Sequence, residues 1–101
     1  VTTYECDVAV VGGSLAGSAA AGTLARKGAS VLVLEKARFP RPRICGEFLS
    51  NEALPVLERL GALEAVRAAG PETIERFALV TRGGRALEAA RPAPGWALSR
   101  A

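Results

Sequence analysis

The chain has 101 residues, half of them apolar, with thirteen basic and ten acidic side chains for a net charge of +3. At this length one small core is the ceiling, because a domain of about 100 residues buries only about two thirds of the surface its unfolded chain exposes. The basic residues interleave with acidic ones and form no aromatic-laced tract, which speaks against nucleic acid as a partner; the lack of any histidine removes Ser/His/Asp and Cys/His catalysis and His-containing zinc sites.

Chemistry in such a chain comes mainly from a cofactor, and no catalytic residue and no metal site is assigned. The two cysteines, Cys6 and Cys45, have neither CxxC spacing nor the pattern of a secreted disulfide framework. Cys6 reads as structural.

Asp7 to Val11 is a short β-branched run ending at Gly12 and Gly13, the pattern of a buried strand entering a tight turn. Leu15 to Lys27 is alanine-rich and helix-competent, and Gly28 stands where a C′ glycine belongs. The uncharged run from Val8 to Ala25 raises the question of a membrane span, but four glycines, two serines and a threonine interrupt it. Acidic Glu5 and Asp7 precede it where a signal peptide carries positive charge. A soluble, cytoplasmic setting without a stable membrane span is expected.

Ser30 to Glu35 is a second apolar run, as in a parallel strand covered on both faces. Strand, helix, strand in this order makes one right-handed βαβ unit. The Arg/Pro-rich segment that follows carries the only local basic cluster, Arg38, Arg41 and Arg43, whose plain reading is a solvated loop. A helix is expected over Asn51 to Leu60, with Leu54, Leu57 and Leu60 at helical spacing and a stop at Leu60-Gly61. A second short helix covers Leu63 to Ala69, and Gly70-Pro71 is the best boundary candidate. Ile74 to Thr81 reads as a strand that Gly83-Gly84 turns into a hairpin with Ala86 to Ala90. Arg91 to Gly95 reads as a loop, and Trp96 onward shows no closing element.

The turn VVGGSLAGS, Val10 to Ser18, is nearly the GxGxxG that seats a dinucleotide pyrophosphate, with Ser14 in place of the second glycine. Gly12, Gly17, Ala21, Leu24, Gly28, Val31, Val33 and Glu35 all fit the extended fingerprint. Gly12 permits the turn, Gly17 lets the helix approach the sheet, and the helix N-terminus offers N–H groups to a diphosphate. Glu35 can accept from a ribose diol, and its charge disfavours a 2′-phosphate. Ser14 at positive φ stores strain of about 1 to 2 kcal/mol, whereas at negative φ nothing is lost. A Walker A site fails, because Ser18 stands where its lysine is required.

After the second strand, RFPRPRICGEFLS, Arg38 to Ser50, resembles the corresponding segment of geranylgeranyl-reductase-like flavoproteins, of the para-hydroxybenzoate-hydroxylase-like FAD family. The resemblance runs in order through DVAVVGGSLAGSAAAGTLARKG, VLVLEK, FPRPRICGEFLS and the final ALSR, and Ala62 to Arg91 adds little to it. It implies an α/β fold: a Rossmann-like βαβ FAD-binding domain with a parallel sheet over residues 1–70, then the start of an antiparallel, β-rich substrate-domain segment over 71–101. It implies FAD on Gly12, Gly13, Ser14, Leu15, Ala16 and Gly17, with the adenosine ribose on Glu35. Lys36, Arg43 and Glu47 are counted with the cofactor-binding residues, Cys45 and Gly46 lie near the flavin, and Arg100 reaches the cofactor from a later helix.

The activity implied is that of an FAD-dependent oxidoreductase, its flavin reduced by NAD(P)H, acting on a small organic substrate as a double-bond reductase or a monooxygenase. Such proteins are several hundred residues long, so the chain reads as the amino-terminal portion of one. Two other readings stand beside it: an ADP-binding module without catalysis, and an NAD-dependent dehydrogenase domain, against which the Cys-Gly-Glu segment argues. Cys45 as a packed small hydrophobe, Glu47 as a solvent-facing acid and Arg100 as a solvated terminal residue are the plain alternatives for those positions.

Overall fold

The computed structural model describes residues 1–43 and 47–99. Contacts group the chain into two compact units, Val1–Arg41 and Pro42–Ala101. The short helices expected to follow the βαβ unit therefore share a unit with the antiparallel sheet.

In the first unit, β1 (Val8–Val11) and β2 (Val31–Leu34) pair in parallel, from Val8 opposite Val31 to Val11 opposite Leu34. Asp7 sits just before β1 and ties down its start. Its N–H donates to the Ser30 carbonyl at 2.9 Å, and its carboxylate accepts from the Ser30 N–H at 2.7 Å. Between the strands, α1 (Leu15–Arg26) is built from residues that lose little side-chain entropy in a helix. It ends in a Schellman motif: the Gly28 N–H reaches the Ala25 carbonyl at 3.0 Å, and the Ala29 N–H reaches that of Leu24 at 3.1 Å. The uncharged run of residues 8–25 is thus divided between a strand, a turn and a helix. Among the described residues no helix is long and apolar enough to cross a membrane.

Among the described residues Ala21, on the inner side of α1, is the one buried apolar residue. Val11, Val33 and Leu34 stand 84%, 41% and 50% exposed, so the strands carry apolar side chains on faces that this unit does not cover.

In the second unit, β3 (Phe48–Leu49) leads through a 3-10 turn, Asn51–Ala53, to α2 (Leu54–Arg59) and α3 (Leu63–Ala68). The helix expected from Asn51 becomes α-helical only at Leu54, where Pro55 occupies the first turn, the position at which its missing N–H costs nothing. Leu54, Leu57 and Leu60 are all half-buried while Pro55, Val56, Glu58 and Arg59 are exposed, as their spacing requires. β4 (Glu72–Val80) and β5 (Ala86–Ala97) form the expected hairpin, and the antiparallel sheet has the order β3-β5-β4.

Two expectations fail in β5. Arg91 to Gly95 is strand rather than loop, and Trp96 is paired on both sides, opposite Leu49 of β3 and Thr73 of β4. The prolines mislead because Pro92 and Pro94 fall in the break of the ladder between Ile74 opposite Gly95 and Arg76 opposite Ala90, where no β4 residue is in register to require their N–H. At Gly95 a side chain is also excluded: a Cβ there would overlap Cε2 of Phe48 and lie 2.6 Å from its Cζ. The same Phe48 ring carries the Arg91 guanidinium 4.7 Å from its centroid.

Candidate functional site

The β1–α1 turn is shaped by two glycines acting on each other. Gly12 takes φ +104°, a left-handed conformation that side chains resist, while its N–H still extends the ladder to the Leu34 carbonyl at 2.8 Å. Gly17, on the third residue of α1, packs directly against it. A Cβ on Gly17 would overlap the Gly12 carbonyl oxygen and lie 2.9 Å from the carbonyl carbon. The turn is closed further by the Ser18 hydroxyl, which donates to the Gly13 carbonyl at 3.0 Å.

Ser14 is the N-cap of α1 at φ −79°, ψ −170°, so the departure from GxGxxG carries no backbone strain. Its hydroxyl makes no capping bond to the helix. The N–H groups of Leu15, Ala16 and Gly17, in the first turn, have no intrahelical acceptor because no helical carbonyl precedes them. Together with the helix dipole they suit an anion.

Glu35 follows β2 at the same end of the pair as this turn. Its carboxylate is held from several directions: Oε2 accepts from the Gly13 N–H at 2.8 Å and from Nη2 of Arg41 at 3.3 Å, and Oε1 accepts from the Ala37 N–H at 2.8 Å. Gly13 leaves little room beside it, since a Cβ there would stand 3.3 Å from that of Glu35. The Glu35 and Arg41 side chains are only 14% and 17% exposed.

Of the residues singled out from the sequence, Gly12, Gly13, Ser14, Leu15, Ala16, Gly17 and Glu35 are brought together in the first unit. Lys36 is exposed just beyond Glu35. Arg43 and Glu47 belong to the second unit; both are exposed, and the Glu47 carbonyl accepts from the Leu98 N–H at 2.8 Å. Cys45, Gly46 and Arg100 lie outside the described residues. Among the described residues no group of three or more His, Cys, Asp or Glu could hold a metal ion.

Arg41 corrects the reading of the basic cluster as solvated. It is largely buried, paired with Glu35 and stacked 5.3 Å from the centroid of the Phe39 ring. The available signal was its position between two prolines, six residues beyond a carboxylate that the turn had already marked.

Residues 5–97 match the FAD binding domain family. The chain belongs to that family. It is 51% identical over 57 residues to menaquinone reductase of Mycolicibacterium smegmatis, which covers 56% of this chain and 14% of the reductase. It is 52% identical over 63 residues to tryptophan 2-halogenase of Chondromyces crocatus, covering 62% of this chain and 12% of the halogenase. A solved triple mutant of the flavin-dependent brominase Bmp2 superposes on 95% of this chain with a TM-score of 0.75 and 32% identity. The chain spans 24% of that brominase and a smaller share of the two curated relatives. The parallel β1–β2 pair with α1 is thus the Rossmann-type part of an FAD-binding fold, followed by an antiparallel sheet.

FAD fits the residues present. The turn keeps a glycine surface at Gly12 and Gly17, α1 presents unpaired N–H groups next to it, and a preset carboxylate stands at the end of β2.

Proposed function

We infer that the chain supplies the adenosine-diphosphate half of the FAD site in a flavin-dependent oxidoreductase. The observation that supports this is the Glu35 carboxylate bonded to the N–H of Gly13: an acceptor suited to a ribose diol stands beside a glycine turn suited to a diphosphate. The N–H groups of Leu15, Ala16 and Gly17 and the Ser14 hydroxyl hold the diphosphate, and Gly12 and Gly13 keep side chains out of its path. Glu35 orients the adenosine by accepting from the ribose diol. Lys36, Arg43, Cys45, Gly46, Glu47 and Arg100 complete the cofactor contacts in this reading.

FAD, when bound, takes a hydride and passes electrons to an organic substrate or to oxygen. NADH or NADPH is the donor in this proposal, and the substrate is a small organic molecule. The matched relatives include a reductase and halogenases. The segment from Arg38 to Ser50 favours the geranylgeranyl-reductase-like branch, with 71–101 opening a substrate-facing β region.

The test is the cofactor content of the intact protein. Visible flavin absorbance, with FAD as the released nucleotide, is the expected result. Failure to bind FAD at saturating concentration overturns the reading. Anaerobic mixing with NADH and with NADPH tests the donor: bleaching of the flavin by one of them is expected, and bleaching by neither removes that part.

A further inference from the structure

We propose that Arg41 is a positioning residue for the cofactor site, one that acts by holding Glu35. The inference rests on the FAD reading above and adds a residue whose plain sequence reading is a solvated loop.

A glutamate at a strand end has three rotatable bonds, and a largely buried carboxylate without partners is costly. Glu35 accepts from the N–H groups of Gly13 and Ala37 and pairs with Arg41, which shares Oε2 with the Gly13 N–H. Arg41 offsets the charge inside the unit and fixes the same oxygen that accepts from the Gly13 N–H. Its own placement is prepared by the Phe39 ring beneath it. The Nε of Arg41 is buried and has no hydrogen-bond partner, so the side chain is held in place by the carboxylate and the ring although one of its donors is left unmet. An arginine placed only for solubility would turn that donor to water.

The test uses the intact protein and two probes, FAD and ADP, the second of which contains the part of the cofactor that Glu35 would contact. Arg41→Met keeps an unbranched apolar stem and removes the charge. Arg41→Lys keeps the charge, and circular dichroism and melting establish that each variant is folded. In the expected result Arg41→Met weakens FAD and ADP by the same factor, roughly tenfold, as for loss of a charged hydrogen bond in a site. Arg41→Lys recovers most of it. Adding Arg41→Met to Glu35→Gln then costs nothing further, because the residue acts through the carboxylate.

Unchanged affinity in Arg41→Met overturns the proposal, and so does a lysine variant as weak as the methionine one. An undiminished extra loss in the double variant also overturns it, since Arg41 would then act independently of Glu35. Each of these leaves the FAD reading standing, whereas a parent protein that binds neither FAD nor ADP removes both.

Discussion

Gly17→Ala sets helix propensity against the geometry of the turn. In a helix interior alanine is better than glycine by about 1 kcal/mol, so propensity alone makes the substitution stabilising. The structure reverses the sign. The new Cβ would overlap the Gly12 carbonyl oxygen, and because the obstacle is backbone no side-chain rotation can relieve it. Either α1 lifts away from β1 or Gly12 loses its place, and overpacking of this kind costs about 1 to 3 kcal/mol. The net expectation is a loss of up to about 2 kcal/mol together with weaker FAD binding.

Gly22, on the same helix, supplies the control. A Cβ there meets nothing within 4 Å, so Gly22→Ala should stabilise by up to about 1 kcal/mol. Urea denaturation of the intact protein and its two variants, with flavin occupancy read in parallel, makes the comparison. If Gly17→Ala is as stable as Gly22→Ala and retains its flavin, the close approach of α1 to the turn is not a constraint and the reasoning fails.

Glu35→Ala removes an acceptor shared by Gly13, Ala37 and Arg41 and should weaken FAD by about 1 to 3 kcal/mol; isothermal titration calorimetry giving the parent affinity would dismiss the ribose assignment. Ser14→Ala should change stability by less than about 0.5 kcal/mol, below the usual N-cap cost, since the hydroxyl caps nothing; a full cap penalty in thermal melts would contradict this. Ser14→Leu should fold yet retain less flavin, because its side chain competes with the diphosphate, and equal occupancy after purification would mean the phosphates pass elsewhere. Gly95→Ala should destabilise the second unit by about 1 to 3 kcal/mol through the Phe48 ring, and unchanged amide exchange in β3 and β5 would show that the ring simply moves aside.

The βαβ unit was legible from local chemistry alone. Val8–Val11, Leu15–Arg26 and Val31–Leu34 follow β-branched and alanine-rich runs, and the C-terminal end of α1 follows Gly28, because propensities and the C′ glycine act within a few residues. The spacing from Gly12 through Gly17 to Glu35 likewise marks a dinucleotide turn, since each position answers to a steric or hydrogen-bonding need within that unit. The conformation of Ser14 was not legible. Both signs of φ were open to it, and only the folded path from Gly12 into α1 selected −79°.

What tertiary structure decided involves partners distant along the chain. β3 is two residues long and carries no periodicity of its own, and it is a strand only because Phe48 and Leu49 meet Ala97 and Trp96. Pro92 and Pro94 read as loop in any local window and are admitted to β5 by a break in its ladder with β4. Arg41 is a nearer case at the site, since its partner Glu35 lies only six residues before it. Composition places it in a basic, proline-rich loop, but the end of β2 holds a carboxylate within its reach, and burial of the pair makes a positioned residue of it. Contacts across the chain decide β3, a gap in the ladder admits the prolines of β5, and burial of a near-neighbour ion pair decides Arg41; propensity and composition in a short window carry none of these.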